Sequence, residues 1–240
     1  MTATMLRLHG YAVSNYYNTA YAALIEKGCA FEVVRTRASR EAALLAASPL
    51  GKIPYLETPH GTLSETLPIL EYLDETADGP RLYPAAGFAR ARVRQTLNIL
   101  QLYLDAPLRR LYPGVFMGGI NTPDTVDTVA AQLPLTLDAL RRLFVFEPFL
   151  MGVELGVTDL FALYLFDVGD RVTRRVYGWS LLERIEGAGD WSARMLARDS
   201  TRRVAAGFAS EFPRYLVERK ARYQPADGGG LFAVSTAAAA

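Results

Sequence analysis

The stretch from Ser48 to Leu70 holds the side chains of this chain that are best suited to binding a small ligand. A proline, Pro54, opens an extended run, and a Thr58-Pro59-His60-Gly61 turn follows. The polar step Ser64-Glu65-Thr66 then leads into an apolar helix. An X-Pro bond adopts the cis form at low cost, and a cis proline turns the chain sharply. A hydroxyl where a strand becomes a helix, with free N–H groups behind it, is a natural anion site.

Each feature also has a purely structural interpretation. Pro54 could simply start a strand, and Ser64 or Thr66 could simply cap a helix. The three features occur together at this spacing, and this favours a binding site.

The order Ser48-Pro49-Leu50-Gly51-Lys52-Ile53-Pro54, followed by Ser64-Glu65-Thr66, resembles the glutathione-binding half of the cytosolic glutathione S-transferases. The resemblance extends over most of the chain and implies glutathione as co-substrate. It implies a cis Pro54, with the backbone of Ile53 pairing with the cysteinyl backbone of glutathione like a strand. It further implies that Glu65 holds the γ-glutamyl amine, Thr66 the γ-glutamyl carboxylate and Lys52 the glycyl carboxylate. A solvated loop lysine is the alternative for Lys52.

The nucleophile of such enzymes is the thiolate of glutathione. A free thiol has a pKa near 8.5, and lowering it by about two units requires about 2.7 kcal/mol of preferential stabilisation of the anion. The best-placed hydroxyl donor is Ser14, which follows the first strand and opens the first helix, as in serine-type classes such as theta and zeta. Tyr11 is the second candidate donor and Asn15 the third. The alternative role of Ser14 is a plain helix cap.

The first eighty residues alternate strand and helix in the order βαβ-α-ββ-α. This order predicts a thioredoxin-like α+β domain with a mixed four-stranded sheet. The predicted strands are Leu6 to His9, Phe31 to Arg35, Ile53 to Thr58 and Thr62-Leu63. The predicted helices are Ser14 to Lys27, Arg40 to Ala47 and Leu67 to Glu75.

Beyond a Gly- and Pro-containing segment, only helical periodicity remains. We predict a thioredoxin-like, glutathione-binding domain at 1–78, a linker at 79–87 and an all-α domain at 88–223. The tail at 224–240, which is rich in glycine and alanine, is predicted to be disordered or to form a loose lid. Within the all-α domain, the pattern predicts a helix from Asp127 to Phe144 that either bends at Pro134 or starts later than Asp127.

The second substrate should lie against the first helices of the all-α domain. Apolar and aromatic residues near the Pro113-Gly114 break offer a lining for a hydrophobic electrophile. The predicted lining comprises Tyr11, Tyr103, Leu111, Tyr112, Phe116 and Met117.

The composition excludes several other classes of function. The formal net charge is +1 and the basic residues are dispersed, which argues against nucleic-acid binding. One cysteine, Cys29, and two histidines do not suffice for the usual zinc clusters, so no metal is expected. No apolar run approaches the length of a membrane span, and the N-terminus lacks the pattern of a signal peptide. A cytoplasmic location is therefore expected.

The resemblance implies a glutathione S-transferase that stabilises the thiolate of glutathione for attack on an electrophilic carbon, and it implies a homodimer. One alternative is another glutathione-dependent enzyme on the same scaffold, namely an isomerase, a dehalogenase or a disulfide reductase. A cysteine-type reductase would need its cysteine where Ser14 stands. The other alternative is a non-enzymatic binding or regulatory protein that has kept the scaffold.

Overall fold

A computed structural model describes residues 5–85 and 87–234 of the chain. The first part contains a four-stranded sheet in the order β2-β1-β3-β4. Its strands are β1 (Leu6–Gly10), β2 (Phe31–Arg35), β3 (Tyr55–Thr58) and β4 (Gly61–Ser64). Strand β1 runs parallel to β2 and antiparallel to β3, and β3 is antiparallel to β4. The predicted mixed sheet is confirmed.

Three helices accompany the sheet: α1 (Asn15–Glu26), α2 (Ala42–Ala47) and α3 (Thr66–Thr76). Alternation along a strand sends every second side chain to the same face, and Leu8 and Leu56 are thereby fully buried. They share one core with the apolar sides of α1 and α3. Helix α1 begins at the cap residue Ser14 and ends before Gly28, whose φ of 66° suits glycine at a helix end.

Among the described residues of the second part, the regular elements are helices, in agreement with the prediction, and loops connect them. Helix α8 is the centre of this domain, and most of its residues are buried. In the described ranges 5–85 and 87–234, no helix combines the length and the apolar character that crossing a membrane requires. The α-helices are α4 (Gly87–Asn98), α5 (Ala106–Arg109), α6 (Tyr112–Phe116), α7 (Pro123–Leu143), α8 (Val157–Tyr177), α9 (Ala188–Leu196) and α10 (Asp199–Glu218).

Helix α4 continues into a π-helical segment, Ile99–Asp105, before α5 begins. Pro107 has no N–H to offer to the carbonyl of Tyr103, four residues earlier. That carbonyl instead accepts a hydrogen bond from the hydroxyl of Thr136 on α7 (3.0 Å). The π-helical segment is therefore tied to the neighbouring helix, and π-helical turns are frequent at functional sites.

Helix α7 begins earlier than predicted, and it continues from Pro123 through Pro134 to Leu143. Thr122 caps it, and the Thr122 hydroxyl accepts a hydrogen bond from the N–H of Thr125 (3.3 Å). Proline is well suited to the first helical position, where its missing N–H is not needed. The helix thus begins four residues earlier than Asp127.

Residues 224–234, which the sequence analysis assigns to a disordered tail, pack along α8, and we call them the C-terminal strap. The N–H groups of Leu231 and Phe232 donate to Asp167 (2.6 and 2.9 Å), and Arg171 donates to the carbonyl of Phe232 (2.7 Å). The glycine content has a structural reason: a Cβ atom on Gly230, which has a φ of 77°, would lie 2.5 Å from the Arg171 guanidinium. The prediction of disorder is wrong for 224–234, and residues 235–240 lie outside the described residues.

The two domains meet along α1, which packs against α8 and α10. At the end of α1, Glu26 accepts two hydrogen bonds from the guanidinium of Arg198 (2.8 and 2.5 Å). Two parallel N–H···O bonds give this pair a defined geometry. The end of α1 is thereby held in a fixed position relative to the second domain.

Candidate functional site

A cavity of about 650 Å³ lies between the two domains, at the start of α1. We call it the interdomain cavity. The size falls within the range of small-molecule sites. All eight residues predicted to bind or activate glutathione line it: Tyr11, Ser14, Asn15, Lys52, Ile53, Pro54, Glu65 and Thr66.

Ser14 caps α1, and its Oγ accepts a hydrogen bond from the N–H of Tyr17 (3.3 Å). A hydroxyl that accepts still has a proton to donate. Among the described residues, nothing accepts the proton of the Ser14 hydroxyl. The positive end of the α1 dipole lies at the same place, and it favours a negative charge there. The capping role and a donor role for Ser14 are therefore compatible.

The next two residues of α1 are held by a charged network that the sequence analysis does not predict. The Tyr16 hydroxyl donates to Asp105 Oδ2 (2.8 Å), and Arg109 Nε donates to the same oxygen (2.6 Å). Arg109 Nη2 also donates to the amide oxygen of Asn15 (2.7 Å). Asp105 ends the π-helical segment and Arg109 ends α5, so the second domain fixes the start of α1. The Asn15 amide N–H donates to Asp105 Oδ1 (3.4 Å), which leaves it less available as a donor to a thiolate.

Ile53 and Pro54 form the wall of the cavity next to β3. The Ile53–Pro54 peptide bond is cis. Within the described part of the chain, the N–H and C=O of Ile53 take part in no backbone hydrogen bond. An extended peptide in the cavity could therefore pair with both groups, in the manner of an added strand.

The junction between β4 and α3 supplies the polar end of the cavity. Glu65 has a φ of 69°, a conformation that costs about 1–3 kcal/mol for a residue other than glycine and that clusters at ligand sites. Thr66 follows as the first residue of α3 and is buried. Pro68 lacks an N–H, so Thr66 and Leu67 supply the N–H groups of this first turn. The junction can accept from an amine and donate to a carboxylate.

Two further residues lie near Pro54 in this part of the cavity. Lys52 is exposed and forms no ion pair with any residue that the structure describes. Ser48, the first residue of the stretch that the sequence singles out for binding, is 1% exposed, and its Oγ has no hydrogen-bond partner among the described residues. A buried hydroxyl without a partner can bind a ligand at low cost, because the hydroxyl is already removed from water.

The structure divides the residues of the predicted second-substrate lining between two places. Tyr11, Tyr112, Phe116 and Met117 line the interdomain cavity. Leu111 does not, because it is fully buried in the core and continues the apolar stripe of Leu108.

Tyr103 is also wrongly placed by the sequence analysis. It is 59% exposed and lines a separate groove between α4, the π-helical segment and α7. We call this the α4–α7 groove.

One part of the cavity lining comes from helices that are distant in the sequence, and this part is not predicted from the sequence. Helix α8 contributes Val168, and α10 contributes Phe212 and Tyr215, with Arg219 just beyond its end. Their only signal in the sequence is an aromatic and basic composition near the end of a helix, which also describes ordinary core and surface positions. Arg37 from the loop after β2 completes this side of the cavity.

The phenol groups of the cavity remain protonated at neutral pH. Burial raises the pKa of Tyr112 well above its usual value, and the nearby Asp105 carboxylate adds to this effect. Burial also raises the pKa of Tyr11, although the guanidinium groups of Arg37 and Arg219 oppose that rise. These hydroxyls therefore act as hydrogen-bond donors and not as bases.

No group of three or more His, Cys, Asp or Glu side chains that could hold a metal ion occurs within 5–85 and 87–234. Cys29 is half-buried and lies outside the cavity lining, and burial raises the pKa of its thiol. The cavity therefore offers hydrogen-bond donors, carboxylates and aromatic surface for its chemistry.

Comparisons with known proteins find similar sequences and folds. Residues 8–81 match the family model described as the glutathione S-transferase N-terminal domain. A glutathione S-transferase of Pseudomonas putida is 40% identical over 172 residues, which cover 72% of this chain and 78% of that protein. Human glutathione S-transferase theta-1 is 32% identical over 128 residues, covering 50% of this chain and 53% of the human protein.

The fold also matches solved structures. A glutathione S-transferase from Rhodospirillum rubrum superposes with a TM-score of 0.69 at 24% identity, covering 84% of this chain and 92% of that one. At this identity the likeness concerns the fold. The agreement extends over both domains, because most of each chain is covered.

Proposed function

Since the chain belongs to the glutathione S-transferase family, we propose that it binds glutathione in the interdomain cavity and directs the thiolate at an electrophilic carbon. The observation that carries the proposal is the convergence of Ser14, Ile53 and Glu65-Thr66 on one cavity. These residues come from three separate segments of the first domain, and each offers a group that matches a different part of glutathione.

The tripeptide would lie along the first domain. Ile53 would pair with its cysteinyl backbone, Glu65 would accept from its γ-glutamyl amine, and Thr66 would donate to its γ-glutamyl carboxylate. Lys52 would bind the glycyl carboxylate. This arrangement brings the cysteinyl sulfur towards the start of α1, where Ser14 lies.

Ser14 would then donate a hydrogen bond to the sulfur and stabilise the thiolate, while the thiol proton leaves to solvent. A charge-assisted hydrogen bond and the dipole of α1 together suffice for the roughly two pKa units that neutral-pH activity requires. The thiolate forms a bond to carbon of the electrophile. In a substitution, the carbon–halogen bond breaks and halide departs with the electron pair. In an addition, the carbon–carbon π bond opens, its electrons move onto the conjugated system, and the resulting carbanion takes a proton from solvent.

A glutathione titration followed by ultraviolet difference absorbance tests the proposal on Glu65→Ala and wild type. Glu65→Ala is expected to weaken glutathione binding about tenfold, because a charge-assisted hydrogen bond contributes about 1.5 kcal/mol or more. The readout is the dissociation constant, together with a thiolate band that appears well below pH 8 in wild type.

Glu154→Ala is the matched control, since Glu154 is exposed and does not line the cavity. It should bind glutathione like wild type. Absence of wild-type binding at millimolar glutathione would contradict the transferase proposal, and equal binding by Glu65→Ala would contradict the role of Glu65 alone.

We further propose that a second copy of the chain covers the α4–α7 groove. The groove has a volume of about 740 Å³ and is lined by residues of α4, α7 and the π-helical segment, including Tyr103 and Leu135. Both are exposed large apolar side chains, at 59% and 74%. A contiguous exposed apolar surface of this kind marks an interaction site.

Leu135→Glu is expected to shift the protein from dimer to monomer, because a charge would be buried at the proposed interface. Light scattering coupled to size-exclusion chromatography measures the mass. Val217→Glu is the matched control, because Val217 on α10 is equally exposed at 74% and lies outside the groove. A wild-type monomer, or a dimer that Leu135→Glu leaves intact, would refute this interface.

A further inference from the structure

The second-substrate side of the interdomain cavity has more hydrogen-bond donors than a purely hydrophobic electrophile could use. Building on the proposed function, we propose that the electrophile carries a carboxylate on a flat apolar body, and that Arg219 binds this carboxylate. Tyr11 and Tyr215 would donate to the same group.

The cavity contains hydroxyl donors that have no hydrogen-bond acceptor among the described residues. Among the described residues, the hydroxyls of Tyr11, Tyr112 and Tyr215 form no hydrogen bond, although all three residues line the cavity. Each hydroxyl is a protonated phenol, since burial raises the pKa of all three. A carboxylate only accepts hydrogen bonds, with up to four lone pairs, so it suits a site with several unused donors.

The arginine residues around the cavity differ in whether a carboxylate neutralises their charge. Arg37 is paired with Glu218 (Nη2 to Oε2, 2.7 Å), and Arg109 is paired with Asp105. Arg219, in contrast, has no carboxylate within ion-pair distance in the described part of the chain. Its guanidinium lies over the ring of Tyr215, 5.7 Å from the centroid. A positive charge with no partner is thus presented next to the aromatic wall.

Arg219 and Tyr215 lie on a different side of the cavity from the residues proposed to bind glutathione. The glutathione groups are accounted for by Lys52, Ile53, Glu65 and Thr66, all in the first domain. Arg219 and Tyr215 come instead from the end of α10, on the side lined by Phe116 and Phe212. A planar arginine fork binds a carboxylate through two parallel hydrogen bonds, while the rings pack against the flat body of the ligand.

Two matched electrophiles test the proposal: an activated dinitroaryl chloride with a carboxylate para to chlorine, and the primary amide of the same acid. In both reactions, the S–C bond forms, the C–Cl bond breaks with loss of chloride, and the thiol proton goes to solvent. Each kcat/KM is divided by the uncatalysed rate constant, which corrects for intrinsic reactivity. We expect wild type to prefer the acid about fivefold, and Arg219→Gln to reduce the preference to about one.

Arg214→Gln is the matched control, because Arg214 is an exposed arginine on α10 outside the cavity lining. It should keep the wild-type preference. If Arg219 serves only to neutralise the C-terminal end of the α10 dipole, its removal would leave the preference unchanged, and the proposal would be overturned.

A binding measurement separates this proposal from the transferase proposal. Dinitrobenzoate and dinitrobenzamide, which lack the chlorine and cannot react, are titrated by ligand-observed NMR without glutathione. Tighter binding of the acid, lost in Arg219→Gln, supports the carboxylate site even if neither chloride is turned over. Equal affinities would overturn the carboxylate site and leave glutathione conjugation unaffected.

Discussion

Ser14→Ala is expected to lower kcat/KM for glutathione conjugation about a hundredfold at neutral pH, while glutathione still binds. Loss of one preorganised donor to a developing or stabilised anion costs a factor of about 10²–10³. The hydroxyl is available for this role, because its oxygen accepts from Tyr17 N–H while its proton has no acceptor within the described residues. The ultraviolet thiolate band reports the effect directly.

The pH dependence of this variant has a defined sign. Stabilisation of the thiolate lowers the pKa of the bound thiol, so the thiolate band and the rate both appear as the pH rises through that lowered value. In Ser14→Ala, the midpoint should move up by about one unit or more, towards the free thiol value near 8.5. Measurement between pH 5 and pH 9 covers both midpoints.

Tyr11→Phe is the matched control, since it removes the hydroxyl of the second candidate donor from the same cavity. It should leave the midpoint of the thiolate band near the wild-type value. An unmoved band in Ser14→Ala together with a shifted band in Tyr11→Phe would transfer the donor role to Tyr11.

Asp167→Ala should destabilise the folded protein by about 3 kcal/mol or more. The Arg171 side chain is 2% exposed and its partner Asp167 is 1% exposed, so the variant leaves a buried guanidinium without its carboxylate. The same carboxylate accepts from the N–H groups of Leu231 and Phe232, so the C-terminal strap loses its anchor as well. Thermal unfolding should show a decrease in Tm of roughly ten degrees.

Asp138→Ala provides the comparison for this variant. Asp138 also pairs with an arginine on its own helix, Arg141, but both side chains are more than 40% exposed. Exposed pairs of this kind contribute at most about 1 kcal/mol. If both aspartate variants changed Tm by the same small amount, the C-terminal strap would not depend on the buried pair.

The first domain and its half of the site could be predicted because their signals are local. The cis proline at Pro54, the Glu65-Thr66 step and the cap at Ser14 are each encoded within a few residues. Short turns between short strands then leave one simple arrangement for the sheet. Hydrophobic periodicity likewise places the helices of the second domain, although helix ends depend on caps such as Thr122 that periodicity does not detect.

The second-domain half of the site could not be predicted, because tertiary packing assembles it. Asp105 and Arg109 reach the start of α1 from about ninety residues away, and Tyr215 and Arg219 come from the last long helix. Their types are also common at surfaces and in cores. The wrong placement of Tyr103 has the same origin, since the face that it occupies depends on how α7 packs against the π-helical segment.

The C-terminal strap shows how composition can mislead. Glycine in a polar setting is typical of disorder, and the run Gly228 to Gly230 therefore favours a disordered tail when only the sequence is considered. In the structure, the same glycines adopt positive φ values and allow close contact with Arg171. The sequence alone does not show that these glycines contact a buried arginine on a distant helix.

The π-helical segment Ile99–Asp105 has a consequence for the comparison of related sequences. A π-helical turn holds about one residue more than the α-helical turn that it replaces, so it behaves like a one-residue insertion. Each residue of an α-helix advances the direction of its side chain by about 100°. A relative with a regular helix here must therefore be aligned with a single gap before Asp105, because an ungapped alignment would match Asp105 and Arg109 to residues on the wrong face.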